Sequence, residues 1–132
     1  MGTGKHVVIA ETDAEAVRTA RRAYRVWYEN YMYIHNLNNS HPVNVHYPDN
    51  FDDAQAGDWS VAGSPETVYR RLAEHIAETG INYFISWIAF GDTSKAECLR
   101  TVELFSSAVM PRLSALRPKQ DGVAHSTRPT LA

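Results

Sequence analysis

The sequence predicts an α/β protein built on a parallel sheet. Two observations carry this expectation. Short runs rich in β-branched and aromatic residues, at 5–10 and 81–90, alternate with longer stretches of helical periodicity. Each such run is followed at once by a helix-start signal, which implies crossover connections and therefore parallel strands.

Residues 5–10, KHVVIA, read as a buried strand because two valines and an isoleucine stand together. Thr12-Asp13-Ala14-Glu15 follows with capping-box spacing, so a helix is expected over 13–36. Ala16, Ala20, Ala23, Trp27 and Tyr31 recur at intervals of three and four and form its apolar face. The asparagines at 36, 38 and 39 favour a turn there. Residues 40–60 carry Pro42, Pro48, Asp49-Asn50, Asp52-Asp53 and Gly57, and read as a long irregular loop of the kind that serves function.

A very short strand is expected at 59–62. Ser64-Pro65-Glu66 then supplies an N-cap, a proline at the first helical position and an acid near the positive end of the dipole. Val68, Leu72 and Ile76 give the helix over 65–79 its apolar stripe, and Gly80 closes it. Residues 81–90, INYFISWIAF, are nearly all apolar and read as a strand buried on both faces. Gly91-Asp92-Thr93 turns the chain, and Ser94 to Glu97 is a second capping box. One last helix is expected over 95–114, stressed near its end by Pro111. Residues 118–132 have little apolar content and read as a frayed tail behind a domain of residues 1–117.

Thirteen basic against fifteen acidic residues give a formal charge of −2, which offers no reason to expect nucleic acid or anionic membrane as a partner. The single cysteine, Cys98, excludes an internal disulfide and fits a reducing compartment. No stretch approaches the roughly 20 apolar residues of a membrane span, and the first apolar run is too short for a secretory signal, so a cytoplasmic location is expected.

The segment from Val61, VAGSPETVYRRLAEHIAETGINYFISWIAFGD, followed by VELFSSAVMPRL, resembles the end of the bacterial luciferase-like flavin-dependent monooxygenases. The matching pieces, in order, are Gly63 to Glu66, Thr79-Gly80-Ile81, Phe90-Gly91-Asp92, and Leu104-Phe105 through Val109-Met110-Pro111. HVVIAETDAEAVRTARRAY with Trp27-Tyr28 resembles the family's preceding strand and helix, so the likeness runs over residues 5–116. It implies part of a (β/α)₈ barrel, comprising its C-terminal strands and helices. The implied cofactor is flavin mononucleotide or a deazaflavin coenzyme. A whole barrel of this kind needs about 250 residues, so catalysis is expected to need strands from another chain. The rival expectation is a non-catalytic pairing module that oligomerises without flavin. Either way the expected partner is a second copy or a complementing barrel chain.

Three residues are singled out for cofactor binding. Ser64 heads a helix whose free N–H groups could hold a phosphate, although capping alone explains it. Trp87 and Phe90 lie toward the C-terminal end of the best strand, where barrel sites form, and either ring can wall a flavin; core packing is the plainer account. No metal is expected: His41 and His46 share a loop with Asp49, Asp52 and Asp53, but no recognised ligand spacing occurs. Glu11 and Asp13 after the first strand suit helix entry better than general-base work. His75 is expected on an exposed helix face, and Cys98 as a structural thiol.

Overall fold

The computed structural model describes residues 2–43 and 45–116. The elements run β1 (Gly2–Ile9), α1 (Asp13–Leu37), α2 (Phe51–Ala56), β2 (Ser60–Gly63), α3 (Pro65–Thr79), β3 (Tyr83–Trp87), α4 (Lys95–Leu104), a π-helical turn (Phe105–Val109) and α5 (Met110–Ser114). The three strands form one parallel sheet in the order β2-β1-β3. The domain boundary assigned to residue 117 and the tail at 118–132 lie outside the described residues. Among the described residues no helix is long and apolar enough to cross a membrane.

The helix starts form where the sequence places them. Thr12 accepts from the Glu15 N–H, Ser64 from the Thr67 N–H, and Ser94 with Glu97 completes a reciprocal capping box. Gly80 ends α3 with φ +66°, the left-handed conformation that a residue without Cβ adopts at least cost.

Alternation along β1 divides the core in two. Val8, with its register partner Ala62, packs against Ala16, Ala20, Ala23 and Tyr24 of α1 and against Phe51 and Ala54 of α2. Val7, Ile9 and Val61 point the other way, onto Val68 and Leu72 of α3 and Val109 of the π turn. Helices therefore cover both faces of the sheet. In a (β/α)₈ barrel consecutive strands are neighbours and all helices lie on one face. Here β3 instead crosses to the far side of β1. The physical reason is that a three-stranded sheet has two apolar faces, and helices on one face alone would leave Val7, Ile9 and Val61 in water.

Four local expectations are corrected. The segment 40–60 is not wholly irregular: α2 forms within it, with Asn50 accepting from the Asp53 N–H and with Phe51 and Ala54 buried. At six residues α2 is too short to be stable alone, and its packing holds it. The strand at 81–90 is shortened to 83–87 and is not buried on both faces; Tyr83, Ile85 and Trp87 are exposed because β3 is an edge strand beyond the reach of α1. The helix over 95–114 is interrupted by the π turn. Pro111 has no N–H to give the preceding turn, and Ser106 and Ser107 hydroxyls donate to the Glu103 carbonyl there. His75 is not an exposed residue: its side chain is largely buried and pairs with Asp58.

Candidate functional site

The chain steps from β1 to β2 in one direction and then back past β1 to β3 in the other. In open parallel sheets, ligands favour the crevice beyond the C-terminal strand ends at such a reversal. Here that point lies between β1 and β3. The two strands pair only as far as His6 opposite Trp87. Beyond it, Ile9 donates its N–H to the Thr101 hydroxyl (3.1 Å), and that hydroxyl donates back to the Ile9 carbonyl (3.3 Å). A side chain from α4 thus satisfies the strand edge that β3 has left.

His6 is the centre of this region and is 3% exposed. Its ring centroid lies 4.5 Å from Phe90, 5.3 Å from Trp87, 4.3 Å from Trp27 and 5.8 Å from Tyr24. Burial among these rings disfavours the imidazolium and pulls the His6 pKa down to about 4. The aromatic row continues through Trp27 to Tyr31 and Tyr47, and from Tyr47 to Trp59. Burial also pushes the Tyr24 phenol upward, and its hydroxyl donates to the Pro48 carbonyl at 2.8 Å.

Of the three residues assigned to cofactor binding, two meet here. Trp87 is 42% exposed, and a Cβ on Gly4 would lie 3.3 Å from its ring, so the glycine leaves that ring its room. Phe90 is buried against His6. Ser64 sits across β1, at the end of β2. Its N–H donates to the Asp13 carboxylate at 2.7 Å, and the Thr67 hydroxyl donates to the same carboxylate at 3.0 Å. These bonds, led by the Ser64 N–H, hold the Asp13 carboxyl below its ordinary range. An internal anion therefore already stands at the start of α3, where a phosphate would bind.

The loop after β3 is clamped to α1. Arg22 Nε lies 3.1 Å from both Asp92 oxygens, and Arg22 Nη2 lies 2.9 Å from Glu97 Oε2. Arg22 holds the Glu97 carboxyl at about 2. Glu11 pairs with Arg100, so both acids after β1 are engaged. The Cys98 thiol donates to the Thr93 hydroxyl at 3.4 Å. Asp52 pairs with Arg21, and Asp53 accepts from Asn50.

Two features escaped the sequence reading. One is a groove of about 370 Å³ on the opposite face, lined by Phe84, Ser86, Phe105, Met110, Leu113 and Leu116. The other is a charged node, in which buried Lys5 meets the Asp58 carboxylate at 2.6 Å and His75 reaches the same oxygen. The signal for the node, and for His6, was a Lys-His pair inside a run that otherwise reads as buried strand.

No family model matches the chain. The chain is similar to the uncharacterised protein y4wF of Sinorhizobium fredii, with 28% identity over 113 residues, 86% of this chain and 33% of that protein. It is also similar to a solved type II Baeyer-Villiger monooxygenase, the oxygenating constituent of 3,6-diketocamphane monooxygenase from the CAM plasmid of Pseudomonas putida, in complex with FMN. That match has a TM-score of 0.53 at 22% identity and covers 84% of this chain and 33% of that one. The chain thus spans about a third of the length of each. At this identity the structural likeness speaks for the fold.

Proposed function

We propose that this chain is the C-terminal part of a luciferase-like flavin-dependent oxidoreductase or monooxygenase, acting together with further barrel strands beyond these residues. The observation that carries the reading is the outward face of β3. Tyr83, Ile85 and Trp87 stand exposed in a row beside Gly2 and Gly4, at the strand that flanks the sheet reversal. Trp87 is suited to stack on a planar isoalloxazine ring, and its place at the C-terminal end of the sheet is where barrels and open α/β sheets bind ligands. The FMN complex of the Pseudomonas putida neighbour adds support for flavin mononucleotide as the cofactor, with a deazaflavin as the alternative. The flavin would bring the redox chemistry; this chain's share is one wall of the ring site. Asp13 holds the donors around Ser64, so most of the phosphate contacts fall to the complementing strands.

The test is titration of the purified chain with flavin mononucleotide, followed by tryptophan fluorescence. The expected result is a colourless protein that binds weakly, with quenching that Trp87→Phe reduces. Stoichiometric yellow flavin retained through purification would overturn the need for further barrel strands. Quenching unchanged by Trp87→Phe would overturn the role of that ring.

A second reading, a pairing module without flavin, is favoured by the same strand considered as an edge. Among the described residues β3 pairs on one side only, and it carries no charge and no proline to deter another strand. Its exposed apolar row is a natural contact surface for a second copy or a complementing barrel chain. Sedimentation equilibrium at micromolar concentration is expected to show self-association that Ile85→Lys abolishes. A well-folded monomer at all concentrations would defeat the homodimer. If association persists while flavin never quenches Trp87, the pairing module is the better account.

A further inference from the structure

Two buried side chains on the α1-facing side of the sheet end in polar atoms that meet no partner among the described residues: His6 Nδ1 and Ser60 Oγ. They are register partners across the β1–β2 pair. Alternation puts them on one face, since the next in-register pair on that face, Val8 and Ala62, packs with α1. His6 itself touches Tyr24 and Trp27 of that helix. Ser60 is 1% exposed. Two orphaned groups side by side in a folded core are uncommon, because each costs about 1–3 kcal/mol when left unsatisfied. Adjacent strands run about 4.8 Å apart. Neither atom bonds the other, since both are without a partner, and a strand spacing of this size leaves room for one water shared between the two groups at about 2.8 Å from each.

We propose that His6 and Ser60 together form a binding site for one internal water molecule, which bridges Nδ1 and Oγ beneath the aromatic roof of Tyr24, Trp27 and Phe90. The site takes a small neutral molecule that can both donate and accept. The neutral imidazole and the hydroxyl each do the same, and no charged group among the described residues is paired with either. None of these observations rests on flavin binding, and the site gives a histidine inside an apolar strand a role in the core.

The decisive measurement needs no substitution: water–protein nuclear Overhauser effects on the His6 ring and Ser60 β protons of the intact chain. A cross-peak to a water held for nanoseconds or longer is expected at both. Its absence would overturn the proposal, and a direct His6–Ser60 bond would then be the structure to seek. A double-mutant cycle reads the same site by stability. His6→Phe and Ser60→Ala each strand the water and the remaining group, so each is expected to shift the folding equilibrium about tenfold toward the unfolded state. The double variant removes both groups and is expected to lose far less than the product of the two. If both atoms are true orphans, each single variant instead stabilises the fold, which overturns the bridge.

Discussion

Replacing Asp58 by asparagine tests how the buried Lys5 is held. Lys5 is 1% exposed on β1, and its ammonium meets both the carboxylate and the carbonyl oxygen of Asp58. Asparagine keeps the size of the side chain and tolerates the left-handed backbone at this position, where φ is +65°. What it removes is the charge. Breaking a fully buried ion pair by removing one partner costs about 3–5 kcal/mol. Asp58 is 45% exposed, so water already screens part of the attraction, and a loss of about 2–3 kcal/mol is the working expectation. With a urea slope of about 1–3 kcal/mol per molar, the unfolding midpoint should fall by about 1–2 M, read by far-ultraviolet circular dichroism. Lys5→Met added to Asp58→Asn should recover most of the loss, because methionine fills the space without a charge to compensate. A midpoint within about 0.2 M of the parent for Asp58→Asn alone would refute the reasoning. It would mean that the backbone carbonyl and solvent suffice for Lys5.

Gly91→Ala should be far more damaging than its size suggests. The residue has φ +56°, and a Cβ there would lie 1.9 Å from the Ala23 carbonyl oxygen, so loss of cooperative thermal unfolding or at least about 3 kcal/mol is expected. Glu97 gives a pH signature. Its pKa is depressed from 4.5 to about 2 by Arg22, so its stabilisation is fully present above about 4.5 and is lost as pH falls toward 2. Glu97→Gln should therefore be less stable than the parent at neutral pH and converge with it near pH 2. A constant difference across acid titration would show that the ion pair is not the cause.

How much of the site was legible follows from how local each signal is. Ser64 was recognisable as a helix cap because cap, proline and acid are adjacent in sequence, and the bond to the Thr67 N–H forms within that one turn. Its engagement by Asp13, 51 residues away, could not be read, since nothing in the spacing brings the end of β1 to the start of α3. Trp87 and Phe90 were picked out by their place after a strong strand. That both close on His6 depends on β3 lying beside β1, which no local pattern specifies. The Arg22 clamp likewise joins residues 70 and 75 positions apart.

The sequence by itself determined the order of the three strands and of α1, α3 and α4, the caps that start those helices, the glycine that ends α3, and the parallel sense of the sheet. These rest on side chains acting within one turn of their own backbone, or on the geometry of a helical crossover. Only the tertiary structure decided that β3 pairs with β1 rather than β2, and with it the exposed row on β3, the two-sided core and the burial of His6. A strand offers two equivalent hydrogen-bonding edges. Which one is used is settled by covering both apolar faces of β1 at once, and that is a property of the whole chain packed together.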